Sequence, residues 1–98
     1  MWILQGSGPE TDVLTFRFSS GTVKTIGRAP RADFIVDAAL VSRLHCRLEA
    51  GDADIEVVDL SSTNGTYVND KKIDRAKVAT GDRVRVGRVE LTLERQAD

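Results

Sequence analysis

Three short segments carry residues that could do chemistry together. Gly27-Arg28 follows the apolar run Val23–Ile26. Ser42-Arg43-Leu44-His45 leads into Cys46, and Asp59-Leu60-Ser61-Ser62-Thr63-Asn64-Gly65-Thr66 sets four hydroxyl residues around an Asn-Gly pair. Each has a plain reading when taken alone. An arginine after a strand-ending glycine is ordinarily solvated, a turn serine with an outward-facing histidine is ordinary surface, and Asn-Gly ordinarily supplies the positive φ angles of a two-residue hairpin. Such a hairpin has no use for the hydroxyls, and the three segments together make a coherent anion site. Arg28 and Arg43 supply guanidinium forks, the side chain best matched to phosphate oxygens. Ser42 and Thr63 add neutral hydroxyl donors, and a turn at Asn64-Gly65 exposes backbone N–H groups and a side-chain amide. That donor set suits a dianionic, three-oxygen phosphate carried on a protein side chain.

Catalysis fits the same residues less well. Ser42 and His45 are three apart, and on a strand such positions face opposite sides, so a nucleophile–base contact is not expected unless the segment bends. No glycine elbow surrounds Ser42, and spacing assigns no third orienting group. Cys46 shares a strand face with Leu44 and Leu48, which makes it a core residue with an inert thiol. Asp33, Asp37 and Asp59 are scattered among strands without calcium-loop spacing, and one cysteine with one histidine cannot build a zinc site. The expectation is a non-enzyme with no metal and no cofactor.

The elements that must position these residues are short strands. Leu14, Phe16 and Phe18 alternate with polar neighbours, as do Leu44, Cys46 and Leu48, then Val84 and Val86, then Val89, Leu91 and Leu93. Less regular β-branched segments lie at Trp2–Gln5, Val23–Ile26, Phe34–Val36, Ile55–Leu60, Thr66–Val68 and Lys71–Asp74. Turn signals punctuate them at Gly6–Pro9, Ser19–Gly21, Ala29-Pro30, Gly51-Asp52, Asn64-Gly65, Asn69-Asp70, Gly81-Asp82 and Gly87. About ten short strands at this spacing, without a sustained helical stripe, predict an antiparallel sandwich or barrel with the inter-strand residues gathered at its ends. The 98 residues, 41% of them hydrophobic, suffice for one core and read as a single domain over 1–98. The polar tail Arg95–Asp98 is expected to fray or to lead into a linker.

Charge and hydropathy remove other classes. Fourteen Lys+Arg against fifteen Asp+Glu leave a net charge of −1, not the basic excess of a nucleic-acid binder. No unbroken apolar run, Ala38–Val41 included, exceeds four residues, far short of the ~18 a membrane helix needs. No direct membrane insertion is expected. No leader signature is visible, so a cytoplasmic location is expected.

The order of the motifs adds a family. Ile26-Gly27-Arg28, Asp33-Phe34, Val41–Cys46, Asp59–Asn69, Gly81-Asp82 and Val86-Gly87 together resemble a forkhead-associated (FHA) domain over about residues 25–93, a reader of phosphorylated motifs. The resemblance implies an eleven-stranded β-sandwich with its binding loops at one end. It implies Arg28 and Ser42 as principal phosphate contacts, with Arg43 and Thr63 as secondary ones. Asn64 holds the backbone of the bound peptide, while Gly27, His45 and Gly65 are architectural, His45 fixing the loop that presents Ser42. Asp70 departs from the pattern where the family often has glycine, but aspartate tolerates left-handed geometry. The implied partner is a phosphothreonine-containing protein or peptide, such as a Ser/Thr kinase or its substrate. The competing expectation is a phosphate-independent interaction or oligomerisation module on the same fold.

Overall fold

The computed structural model describes residues 1–96, and among them no helix forms. Eleven strands follow in chain order: β1 (Trp2–Gly8), β2 (Thr11–Phe18), β3 (Val23–Gly27), β4 (Phe34–Ile35), β5 (Cys46–Ala50), β6 (Ile55–Asp59), β7 (Thr66–Val68), β8 (Lys71–Ile73), β9 (Arg75–Val78), β10 (Arg83–Val86) and β11 (Val89–Arg95). They build two facing sheets, ordered β2-β1-β11-β10-β7-β8 and β4-β3-β5-β6-β9. Every pairing is antiparallel except β3 with β4, which is parallel, so the second sheet is mixed.

The period-two patterns point inward as alternation requires. Val84 and Val86 of β10 and Val89, Leu91 and Leu93 of β11 meet Cys46 and Leu48 of β5 and Ile55 and Val57 of β6, all without solvent exposure. Burial pushes the Cys46 thiol up to about 12, with the Asp59 carboxylate adding to the shift, so the thiol stays protonated and inert. Trp2 closes one end of the core; its indole N–H donates to Gly51 O (3.0 Å). Phe34 stacks on Phe16 (centroids 4.7 Å apart) and tilts against Phe18, which ties short β4 to the other sheet.

Four expectations need correction. The strand expected from Leu44 begins only at Cys46, and Leu44 is 38% exposed instead of sharing the core with Cys46 and Leu48. The chain bends through Ser42–His45 because its polar groups bond to neighbouring loops rather than to a ladder. The segment expected over Lys71–Asp74 is β8 alone; after Asp74 the chain changes sheets and continues as β9, whose sequence Arg-Ala-Lys-Val alternates over only two apolar residues. The turn expected at Gly6–Pro9 lies later, since β11 pairs with β1 as far as Ser7. The tail is not loose at its start, for Arg95 ends β11 over the Trp2 ring and Gln96 N–H donates to Met1 O. Residues 97–98 of that tail lie outside the described residues.

Among the described residues no helix is long and apolar enough to cross a membrane, and no group of His, Cys, Asp and Glu is arranged to hold a metal ion.

Candidate functional site

Loops β3–β4, β4–β5 and β6–β7 meet at one end of the sandwich. The first two lie edge to edge: Arg28 N–H donates to Ser42 O (3.0 Å), Ala29 N–H to Arg43 O (3.2 Å) and His45 N–H to Ile26 O (2.8 Å). Gly27 permits this approach, because a Cβ there would stand 2.0 Å from Arg43 O. The third loop is tied on by His45. Its Nδ1 accepts from Ser42 N–H (3.0 Å) and its Nε2 lies 2.8 Å from Gly65 O. A carbonyl only accepts, so Nε2 carries the proton, Nδ1 does not, and the imidazole is neutral. His45 is fully buried, and Gly65 sits at φ +87, where a side chain is strained.

Asp59 supplies a second tie that sequence reading passed over. Its carboxylate accepts from Ser62 N–H (3.1 Å), from the Ser62 hydroxyl and from the Thr66 hydroxyl (2.7 Å), and Ser62 Oγ accepts in turn from Gly65 N–H (3.0 Å). Half of the hydroxyl cluster, Ser62 and Thr66, is thus spent on shaping the loop. Burial pushes the Asp59 carboxyl up, but the hydrogen bonds from Ser62 and Thr66 outweigh it and leave the group below its ordinary value. The Asp-x-x-Ser spacing was the available signal, since a short acid commonly caps a turn in this way. A third tie comes from outside the motifs: Glu10 accepts from Ala39 N–H (3.1 Å) and pins the β4–β5 loop to the β1–β2 turn.

These ties leave one cleft of about 400 Å³ lined by Arg28, Leu40, Val41, Ser42, Thr63 and Asn64, with Ala39 at its edge. Four residues singled out in the sequence converge there, and their remaining hydrogen-bond capacity points to what the cleft can take. Arg28 Nε–H donates to Val41 O (3.1 Å), which anchors the guanidinium and leaves its terminal nitrogens without a protein partner among the described residues. Ser42 Oγ accepts from Thr63 N–H (3.0 Å), so its own proton remains to donate outward. Asn64 Nδ2 donates to Leu40 O (3.2 Å), leaving its carbonyl oxygen to accept a backbone N–H. Leu40, unremarked in the sequence, lines the cleft with φ +70 and 47% exposure, an uncommon conformation for a leucine. Arg43 is the exception: it lines a neighbouring cleft with Ala29, Pro30, Arg31 and Leu44. Asn64-Gly65 is not a hairpin turn, because β6 and β7 belong to different sheets. The left-handed hairpin is Asn69-Asp70, with φ of 49° and 70°, joining β7 to β8.

Comparison with known proteins decides the family: the FHA domain model matches residues 24–87. The chain belongs to the FHA domain family. This FHA chain is 42% identical over 65 residues to the glycogen accumulation regulator GarA of Mycolicibacterium smegmatis, a match covering 66% of the chain and 41% of GarA. It is 39% identical over 67 residues to the oxoglutarate dehydrogenase inhibitor of Corynebacterium glutamicum, covering 68% of the chain and 47% of that protein. The chain therefore spans less than half the length of either relative. Among solved structures, the FHA domain of the CT664 protein from Chlamydia trachomatis matches with a TM-score of 0.89 at 25% identity, over 98% of each chain. The FhaA FHA domain, solved in complex with the intracellular domain of Rv3910, matches with a TM-score of 0.84 at 30% identity, over 96% of this chain and all of that one.

The two charge changes at this site occur at different pH. A phosphate monoester dianion takes up one proton at about pH 6 and becomes a monoanion. Asp59, its carboxyl lowered on folding, contributes stability that is complete above the unfolded carboxyl value of ~3.9 and is lost only as pH falls through the lower folded value. Phosphopeptide affinity should therefore fall between about pH 7 and pH 5 while the melting temperature holds, with loop stability failing only below about pH 4. Paired binding and melting curves at pH 7, 5 and 3 check this; a melting temperature that falls in step with affinity down to pH 5 would refute it.

Proposed function

We propose that this FHA chain is a phosphothreonine-dependent recognition module in Ser/Thr-kinase signalling, and not an enzyme. The observation that carries the reading is the convergence, in one cleft, of the free Arg28 guanidinium nitrogens, the outward Ser42 hydroxyl and the Thr63-Asn64 pair. Arg28 and Ser42 take the phosphate, Thr63 supports them, and the Asn64 carbonyl accepts an N–H of the peptide backbone. Gly27, His45 and Gly65 hold the loops in register. A solved FHA structure of 27% identity and TM-score 0.82 comes from a study of phosphothreonine-dependent FHA interactions, which agrees with this reading. Against catalysis stands the use of both His45 nitrogens by Ser42 N–H and Gly65 O, so no base faces the Ser42 hydroxyl. The named relatives are a regulator and an inhibitor, in line with a non-catalytic role. The module is read as one domain over 1–98, its motif-bearing part about 25–93, on the strength of a core cluster that runs through both sheets. Its partner is a phosphothreonine-bearing kinase or kinase substrate.

Titration with four peptides differing only at the central residue tests the reading. Phosphothreonine binds most tightly. Phosphoserine, lacking one methyl worth about 1 kcal/mol of burial, binds several-fold more weakly. Glutamate offers two planar oxygens and one charge, leaving a desolvated donor unpaired at a cost of about 1–3 kcal/mol, and binds at least tenfold more weakly. Unmodified threonine shows no measurable binding. If unmodified threonine or glutamate matches phosphothreonine, the phosphate-independent module takes the place of this reading.

A further inference from the structure

The cleft that claims Arg43 is built differently from the phosphate cleft beside it. It measures about 500 Å³ and has apolar walls from Ala29, Pro30 and Leu44, with two arginines, Arg31 and Arg43, at its edge. Neither guanidinium has a protein partner among the described residues. By contrast Arg47, Arg75, Arg83 and Arg88 each stand against a carboxylate. The two clefts are lined by adjoining residues of the same two loops. The paired backbones place Arg28 opposite Ser42 and, one residue on, Ala29 opposite Arg43. Arg28 and Ser42 line the phosphate cleft, and Ala29 and Arg43 line its neighbour.

The occupant follows from the donors. Serine and threonine hydroxyls are absent from this lining, and Pro30 contributes no N–H, so a tetrahedral phosphate would find few of the donors it needs. A planar carboxylate needs only a guanidinium fork, and an aliphatic stem beneath it would lie along Pro30 and Leu44. An extended peptide rises about 3.3 Å per residue, so a side chain within two residues of the phosphothreonine can reach a cleft whose lining residues Ala29 and Arg43 adjoin Arg28 and Ser42 in the chain.

We propose that the Arg31–Arg43 cleft is a second peptide subsite, which binds the carboxylate of a glutamate flanking the phosphothreonine. Arg43 then reads sequence context instead of phosphate. The proposal rests on the phosphothreonine reading above.

The test uses phosphothreonine peptides in a neutral background, carrying a single glutamate at each of the two positions before and after the phosphothreonine, with glutamine counterparts. At one position glutamate should bind about fivefold more tightly than glutamine at low salt. Arg31→Gln should bring the two within about twofold, since the exposed ion pair that sets the preference is lost. Arg17→Gln, which removes an exposed arginine on β2, should keep the preference and controls for net charge. The subsite is refuted if no position prefers glutamate, if the preference survives in Arg31→Gln, or if Arg17→Gln abolishes it equally. A leucine peptide that outbinds the glutamate one refutes the carboxylate assignment. If no phosphothreonine peptide binds the parent protein, the phosphate reading itself falls; flank-independent binding removes the subsite alone.

Discussion

Arg28→Ala should lose phosphopeptide binding by about thirtyfold or more while the fold stays intact. The guanidinium is held at one point, by Nε–H to Val41 O, and presents its remaining donors to the cleft. Removing one partner of a desolvated charge pair costs about 2–5 kcal/mol, since the phosphate then enters the cleft with its charge unmatched. Arg28 is exposed, and its removal leaves no core cavity. Arg28→Lys should fall between the two, keeping the charge but losing the fork. Isothermal titration beside a melting curve is sufficient. A folded Arg28→Ala protein that binds phosphopeptide like the parent would remove Arg28 from the site.

His45→Ala should damage stability and binding together. The imidazole satisfies Ser42 N–H and Gly65 O from a position without solvent exposure, and both are left unpaired by truncation. At about 1–3 kcal/mol for each buried unsatisfied group, the melting temperature should drop by about 10 °C or more for a domain of this size. The loop carrying Ser42 and the loop carrying Asn64 lose their common brace, so affinity falls although no phosphate contact is removed. His45→Asn retains an acceptor and a donor and should recover part of both losses. Ser42→Ala provides the contrast, with affinity reduced and the melting temperature close to the parent's. A His45→Ala protein that melts and binds normally would refute the brace.

Much of this was legible in the chain. Inward residues of β10 and β11 announce themselves by strict alternation, because a strand buried on one face must repeat every two residues. Arg28, Ser42 and Asn64 could be singled out because, ordinary one by one, together they supply the donor set a phosphate needs, and Asp70 could be accepted in a left-handed turn, which its φ of 70° bears out. β9 was hidden, since its alternation runs over two apolar residues only, Ala76 and Val78, too short a period to stand out.

Local pattern therefore determined the strands, the loop chemistry and the family, because each depends on residue types at short spacing. Tertiary structure alone decided how those residues share their hydrogen bonds. Ser42 Oγ is held by Thr63 N–H, twenty-one residues away, and Ser62 and Thr66 serve Asp59 rather than a ligand. The bend that buries His45 depends on a carbonyl twenty residues downstream. The separation of Arg43 from Ser42, neighbours in sequence, arises only in the bend that carries them, where backbone bonds to Arg28 and Ala29 hold the segment so that Ser42 lines one cleft and Arg43 the other.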